Sequence, residues 1–176
     1  MIPSKIKTPS MIKRTFLLLS LVLNFSISGQ NDDKKIMTSF IPKSAAYDIY
    51  YPKNFLLKED DDGIVTISDT TSRLNITVSS HPVDKGMDDK KLIGQLNEFI
   101  RNYYKKEIKE EDWNSYKTKF EILVELKFHA DQTNWIWYGI VDKQRLVTIS
   151  MNKPAVIGEE EVNLIRFMIN NLIIKG

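Results

Sequence analysis

Three apolar segments joined by short turns constrain the fold of this chain more than any other feature. In the segment 120–128, hydrophobic and polar residues alternate, as in a strand with one buried face. The segment 135–141 is apolar on both faces, which is typical of a central strand. The segment 146–151 follows after a turn at 142–144. Because tight turns between consecutive strands require antiparallel pairing, we expect an antiparallel unit in the C-terminal half.

The N-terminal half shows a similar arrangement. Strands are predicted over 47–51, 63–68 and 74–79, where apolar and polar residues alternate. The acidic segment Glu59–Gly63 precedes the second of these strands and is typical of a turn, in which Gly63 is free to adopt positive φ. Three strands are therefore expected before the first helix.

Two segments show helical periodicity. The first begins at Asp88 or Asp89, either of which is a suitable N-cap. The second begins near Gly158, and acidic residues follow at its N-terminus, where the helix dipole favours them. The expected buried stripes are Leu92, Leu96, Phe99 and Tyr103, and then Val162, Ile165, Ile169 and Leu172. The order predicts an α+β fold, with an antiparallel six-stranded sheet flanked by two main helices in β3-α-β3-α order.

The first 28 residues have the order of a secretory signal peptide. Basic residues at 13–14 precede an apolar run at 16–23, and small residues follow at 26–29. The apolar run is shorter than the roughly 20 residues that a membrane-spanning helix needs. We therefore expect residues 1–28 to be removed on export to the periplasm or the extracellular space.

The sequence allows two start sites and two cleavage sites for this signal segment. Translation starts at Met1 or at Met11, and Met11 gives the better basic region. Cleavage falls after Ser28 or after Gly29. The chain has no cysteine, so the lipid-carrying cysteine of a bacterial lipoprotein is absent. A soluble product without a stable membrane anchor is expected.

Removal of the signal segment also changes the charge. Taking the four basic residues of 1–28 from the 25 in the chain leaves 21, against 23 acidic residues, which is a formal charge of −2. A net-acidic domain lacks the electrostatic footprint of nucleic-acid binding, so no nucleic-acid partner is expected. The remaining chain is predicted to comprise a polar leader over 29–42 and one domain over 43–176.

Catalytic candidates are few. The chain has two histidines, His81 and His129, and His129 is placed with Glu125 on the polar face of its predicted strand. A small hydrolase or metal-dependent enzyme would use His129 with Glu125 or Asp142, and these groups would have to converge in one cleft. Neither a Gly-x-Ser-x-Gly motif nor a phosphate-binding loop is present. We therefore predict no catalytic residue, no metal site and no cofactor, and keep the enzyme as the alternative.

The acidic segment Glu59–Gly63 also has to be considered as a calcium loop. Asp60 and Asp62 fit an EF-hand pattern that is counted back from the glycine. Lys58 occupies the first ligand position, however, and Asp69 rather than a glutamate stands at the last. A solvated hairpin turn is the preferred interpretation.

Aromatic residues give the candidate binding surface. Trp135 and Trp137 share one face of the predicted central strand, and Ile136 and Tyr138 share the other. A face that a helix covers incompletely would present a concave apolar patch. Trp113 follows an acidic segment and either plugs the sheet edge or is an exposed anchor. The candidate binding residues are Trp113, Trp135, Trp137 and Tyr138, for an unknown protein or an apolar small ligand.

Several stretches resemble the PsbP-like α/β/α sandwich superfamily. They are Tyr47–Phe55, a strand running into a Tyr-Pro-x-x-aromatic bend, the acidic turn at Gly63, the hairpin 135–150 and the final glutamate-led helix. The resemblance covers about residues 43–175. The superfamily includes the extrinsic oxygen-evolving subunit of photosystem II, a eukaryotic Ran-binding protein and small secreted bacterial domains. The resemblance implies a binding or assembly domain, because known members are mostly non-enzymatic. It identifies no functional residue in this chain.

These observations favour a non-catalytic, exported domain of a bacterial cell envelope that acts by binding. An immunity or chaperone-like role predicts a flat or concave surface carrying Trp113 or Trp135. A carrier of a hydrophobic ligand predicts an enclosed apolar pocket between sheet and helix. A purely structural envelope component is a third possibility.

Overall fold

The computed structural model describes residues 36–176, and the predicted signal peptide at 1–28 lies outside this part of the chain. Ten strands, two α-helices and a short 3-10 helix lie in these residues. In chain order they are β1 (Met37–Phe40), β2 (Tyr47–Pro52), β3 (Leu56–Glu59), β4 (Val65–Asp69), β5 (Leu74–Pro82), α1 (Asp89–Tyr104), the 3-10 helix (Glu110–Asp112), β6 (Asn114–Ser115), β7 (Ile122–Ala130), β8 (Thr133–Asp142), β9 (Arg145–Lys153), α2 (Glu159–Asn170) and β10 (Ile173–Ile174).

The strands form two antiparallel sheets. The main sheet has seven strands in the order β3-β4-β5-β9-β8-β7-β6, and β8 lies inside it, as its apolar sequence predicted. The second sheet has the order β1-β2-β10. The α+β class and antiparallel pairing are confirmed, but the prediction of a single six-stranded sheet is wrong. Strand β2, expected in the main sheet, instead pairs with β1 on one side and β10 on the other.

Strand β1 lies within the segment 29–42, which the sequence predicted to be a polar leader. It pairs with β2 from Met37 opposite Pro52 to Phe40 opposite Ile49. Met37 and Phe40 are partly buried against the larger hydrophobic cluster. This part of the segment is therefore integral to the fold.

The main sheet separates two hydrophobic clusters. One contains the buried residues of α2 and of the second sheet, packed against side chains such as Ile76 and Ile149. The other contains the buried residues of α1, packed against side chains such as Leu126 and Trp137. Successive strand residues point to opposite faces. Neighbours in a strand, such as Thr148 and Ile149, therefore lie on different faces of the sheet.

Helix α1 begins and ends with defined caps. The Asp88 carboxylate accepts a hydrogen bond from the Lys91 backbone N–H at 2.8 Å, and Lys105 ends the helix with a φ of 52°. Phe99 and Tyr103 were expected in the buried stripe, and this is wrong, because they are 40% and 71% exposed. The helix packs on β7, and its Leu96 lies close to Gly139 of β8.

Helix α2 begins after Gly158, as predicted, and the carboxylate of Glu161 accepts a hydrogen bond from the Gly158 backbone N–H. Its buried residues are Leu164, Ile165, Met168 and Ile169, and Leu172 is buried just beyond the helix. Neither helix in residues 36–176 has the length and apolar character needed to cross a membrane.

Gly139 in β8 permits the close approach of α1. A Cβ atom at this position would lie 2.8 Å from Leu96 Cδ1 and 3.1 Å from Val124 Cγ2. We expect Gly139→Ala to lower the free energy of unfolding by about 1–3 kcal/mol through overpacking. Gly94 within α1 has open space around its Cβ position, so Gly94→Ala should raise it by about 0.5–1 kcal/mol. Urea denaturation measures both, and equal effects would contradict the close approach at Gly139.

Candidate ligand-binding cleft

Helix α1 leaves part of its sheet face uncovered, and a cleft lies there. Along β5, Ile76 and Val78 are buried in the α2 cluster, whereas Thr77 and Ser79 lie on the opposite face. Between this part of the sheet and α1 there is a partly open cleft of about 450 Å³. Ligand pockets in proteins have volumes of about 300–1,000 Å³, so the cleft can hold a small molecule.

The floor of the cleft carries four hydroxyl side chains. Thr77 and Ser79 come from β5, and Thr148 and Ser150 come from the neighbouring strand β9. Ser79 lies opposite Thr148 in the register, and their hydroxyl oxygens are 2.6 Å apart. One hydroxyl of this pair donates to the other, so the pair keeps one proton for a further acceptor.

Aromatic side chains form the wall of the cleft. Phe99 and Tyr104 come from α1, and Trp135 and Trp137 come from β8. The ring centroids of Phe99 and Trp137 are 5.4 Å apart, and those of Tyr104 and Trp135 are 4.9 Å apart. Rings at these distances support one another, so the wall is a packed unit rather than four separate side chains.

Two indole groups at this wall lack hydrogen-bond partners. Within residues 36–176, the Nε1 atoms of Trp135 and Trp137 are buried and have no acceptor. By contrast, Trp113 Nε1 donates to Asn97 Oδ1 at 2.8 Å. An unsatisfied buried donor costs about 1–3 kcal/mol. An acceptor brought within reach of either indole would recover part of this free energy.

The cleft has no strongly charged lining. Apart from the hydroxyl and aromatic residues, Leu96, Leu146, Ile64, His81 and Gln95 line it, and none is an aspartate, glutamate, lysine or arginine. His81 is exposed. Burial, and to a smaller extent the negative charge of Asp131, raise the pKa of the Tyr104 phenol, which keeps it neutral. The chemistry of the cleft is therefore that of an apolar surface with neutral hydrogen-bonding groups.

The structure brings together two of the four predicted binding residues. Trp135 and Trp137 line the cleft, whereas Tyr138 is buried on the opposite face of the sheet. Trp113 is 7% exposed and packs in the α1 cluster, so the plug interpretation fits and the exposed anchor does not. The hydroxyl floor was missed, although the alternation of β5 placed Thr77 opposite its buried residues.

Comparisons with known proteins bear on the fold. No family model and no curated protein matches this chain. Among solved structures, it is similar to cyanobacterial PsbP (CyanoP) from Synechocystis sp. PCC 6803, with a TM-score of 0.56 and 8% identity over 80% of this chain and 94% of that chain. The chain has a PsbP-like fold. The resemblance predicted from the sequence is thereby confirmed at the level of the fold.

A second structure similar to this PsbP-like domain is a protein from Bacteroides thetaiotaomicron VPI-5482. The TM-score is 0.54 and the identity is 14%, over 78% of this chain and 48% of that chain. The chain thus spans about half the length of the Bacteroides protein. Identities this low carry information on the fold alone.

On the α2 face, the PsbP-like domain holds a buried carboxylate. Glu125 is 3% exposed, and it accepts hydrogen bonds from Tyr138 Oη at 2.7 Å and Tyr116 Oη at 3.3 Å. Lys127 Nζ lies 3.4 Å from the same carboxylate. The prediction that Glu125 faces solvent is therefore wrong. Tyr138 lies opposite it on β8 and supplies the donor that burial requires.

The residues of the enzyme alternative do not converge. His129 is exposed, and its Nδ1 lies 3.3 Å from Asn134 Oδ1. Glu125 is buried four residues before His129 on β7, about 13 Å away along the strand, and Asp142 lies at the opposite end of β8 from Asn134. In residues 36–176 no group of three or more His, Cys, Asp or Glu side chains is arranged to hold a metal ion.

The acidic segment Glu59–Gly63 forms a hairpin turn, in agreement with the preferred interpretation. Asp60 Oδ1 accepts a hydrogen bond from the Ile64 backbone N–H at 2.8 Å, and Gly63 has a φ of 77°. The turn joins β3 to β4. The geometry of the hairpin turn therefore accounts for the positions of these carboxylates.

Tyr138 gives the domain a pH-dependent stability. Burial raises the pKa of its phenol, and the hydrogen bond to the Glu125 carboxylate raises it further. In the unfolded chain the phenol ionises near pH 10, so above this pH the unfolded state binds fewer protons than the folded state. The stabilising contribution is present below pH 10. Above it, stability should fall by about 1.4 kcal/mol per pH unit for this group.

We expect Tyr138→Phe to make this alkaline decline shallower by that amount. At neutral pH it should lower the free energy of unfolding by about 1–3 kcal/mol, because Glu125 loses a donor. Urea denaturation between pH 7 and about pH 11 measures both effects. Tyr103→Phe, at an exposed tyrosine, is the control and should change neither. An unchanged slope in Tyr138→Phe would show that the phenol titrates normally in the folded state.

Proposed function

We propose that this chain is an exported, non-catalytic binding domain that holds a small ligand in the cleft between α1 and the main sheet. The observation that carries this proposal is the cleft of about 450 Å³ with an aromatic wall and a hydroxyl floor. Concave sites with mostly apolar linings and few polar groups are typical of small-molecule binding.

The position of the tryptophans supports a ligand site. Trp135 and Trp137 line a cavity, whereas Trp113 lies under the edge of α1 and offers no exposed anchor. A carrier of a hydrophobic ligand was expected to have an enclosed apolar pocket between sheet and helix. The cleft lies between sheet and helix, but it is partly open. The enzyme alternative gains no support, because His129 lies apart from Glu125 and Asp142.

Export is the second part of the proposal. It is supported by the order of basic, apolar and small residues over 1–28. Cell fractionation with detection of a C-terminal tag tests this part, and recovery from the cytosol with residues 1–28 intact would contradict it.

A protein partner is the second candidate. Phe99 and Tyr103 are exposed on α1, and their rings stack with centroids 4.3 Å apart. Paired exposed aromatics beside a cleft are also found where proteins dock. A partner that covers this rim would compete with a ligand in the cleft, so the two candidates are distinguishable by competition.

Titration with Nile red, an uncharged fluorescent apolar dye, tests the ligand proposal. We expect saturable one-to-one binding, with an increase in dye emission and quenching of tryptophan emission, because Trp135 and Trp137 line the cleft. Trp137→Ala should lower the affinity for the dye by at least about tenfold, because it removes a large aromatic side chain from the wall of the cleft. Emission that rises without saturation would contradict a defined site.

A further inference from the structure

The lining of the cleft indicates which ligands it accepts. We infer that it selects an uncharged amphiphile, that is, an apolar chain carrying one neutral oxygen group such as an alcohol or an ester. This inference rests on the proposed function and narrows it to a chemical class. It follows from three properties of the cleft: the absence of charged partners, the placement of one hydroxyl pair, and the extent of the apolar wall.

The first property is electrostatic. None of the side chains that line the cleft is a lysine, arginine, aspartate or glutamate. A carboxylate or an ammonium group that entered would leave water without gaining a counter-charge, and such transfers are strongly unfavourable. His81 is the one lining side chain that can carry a positive charge, and it is exposed to solvent. An uncharged ligand has no such penalty.

The second property is the hydrogen-bonding capacity of the floor. Ser79 and Thr148 share one hydrogen bond of 2.6 Å and are partly buried. The pair therefore offers one remaining proton and free lone pairs. A neutral hydroxyl or carbonyl oxygen matches this capacity, since it accepts the proton without bringing a charge.

The third property is the shape of the apolar surface. Leu96 and Phe99 of α1, Trp137 of β8 and Leu146 of β9 contribute apolar surface to the cleft. The floor itself runs along β5 from Thr77 to His81, four residue steps that span about 13 Å of strand. An extended apolar chain can lie along this trough while its oxygen group reaches the hydroxyl pair.

Three probes with the same chain and different head groups test the selectivity. The full chain is loaded with Nile red, which is then displaced by n-octanol, octanoate or octylammonium. We expect n-octanol to displace the dye at a concentration at least about tenfold lower than either ion. Only the ions would enter the cleft without a counter-charge. Equal displacement by the three probes would overturn the inference while leaving the binding site in place. Failure of Nile red to bind would instead contradict the proposed ligand-binding function itself.

A matched pair of variants tests the role of the hydroxyl pair. Thr148→Val combined with Ser79→Ala removes both hydroxyls of the pair, so we expect n-octanol to bind about fivefold or more weakly. Thr66→Val combined with Ser68→Ala removes two hydroxyls on the same sheet face in β4, outside the cleft lining, and should leave n-octanol binding unchanged. Octanol binding that is equal in the Ser79→Ala, Thr148→Val variant and the unmodified chain would overturn the assignment of the head-group position.

Discussion

Ser79→Phe is expected to abolish ligand binding while the domain remains folded. Ser79 lies in the floor of the cleft on β5 and is half-buried, so a phenyl group at this position extends into the cavity. The cavity is about 450 Å³, and a ring placed over its floor occupies the space of the apolar chain. Nile red affinity should fall by at least about a hundredfold, since the ligand would have to displace a side chain packed against the aromatic wall.

The control for this variant is the same substitution elsewhere on the same face. Ser68 lies on β4, outside the cleft lining, and its hydroxyl donates to Asn75 Oδ1 at 2.8 Å. Ser68→Phe loses that hydrogen bond, at a cost of about 1 kcal/mol, and should keep its Nile red affinity. Titration of both variants with the dye makes the comparison. Unchanged binding in Ser79→Phe, with circular dichroism showing a native fold, would place the ligand elsewhere.

Ile149→Ala is expected to give the largest loss of stability without loss of binding. Ile149 is fully buried in the cluster beneath α2, on the face of β9 opposite the cleft. Removing its side chain leaves a cavity in a packed core, and such changes lower the free energy of unfolding by about 2–5 kcal/mol. This is a large part of the total of about 5–15 kcal/mol that a domain has.

The neighbouring residue on the same strand provides the contrast. Thr148 faces the cleft beside Ser79, so Thr148→Val combined with Ser79→Ala should weaken the binding of n-octanol and change the free energy of unfolding by about 1 kcal/mol, through the loss of one hydrogen bond. Ile149→Ala should show the reverse, with binding measured at a temperature where the variant is folded. Urea denaturation and Nile red displacement separate the two effects. A loss below about 1 kcal/mol in Ile149→Ala would mean that this core can collapse around the cavity.

The strands of the main sheet could be read from the sequence where the pattern was strong. The segment 135–141 is apolar on both faces and became the interior strand β8, because both of its faces are covered. The pairing of β2 could not be read in the same way. Its partners are β1 with four residues and β10 with two, and strands this short carry no alternation that identifies them.

The site could be predicted only in part. Trp135 and Trp137 were found because a strand places alternate residues on one face. The cleft itself depends on where α1 lies across the sheet, and α1 approaches the sheet closely where Leu96 lies over Gly139. Such a contact joins residues far apart in the chain, so periodicity in the sequence does not indicate it. Phe99 was misplaced for the same reason, because its exposure follows from the position of the helix.

Glu125 shows a different reason for error. An alternating segment with a charged residue predicts that the charge faces solvent, and here it does not. The burial depends on Tyr138 across the strand pair and on Tyr116, which donate hydrogen bonds to the carboxylate. Partners that satisfy a buried charge come from tertiary packing. They are visible in the structure and absent from the local pattern.

The most direct test of the cleft as a ligand site is the indole region of the ¹H–¹⁵N spectrum. The chain has three tryptophans, and assignment uses Trp113→Phe and Trp135→Phe variants. On titration with n-octanol, the indole N–H signals of Trp135 and Trp137 should shift together and saturate, because these residues line the cleft. The signal of Trp113, which is hydrogen-bonded to Asn97, should stay in place. A shift of Trp113 alone, or no shift of Trp135 and Trp137 at saturating n-octanol, would contradict binding in the cleft.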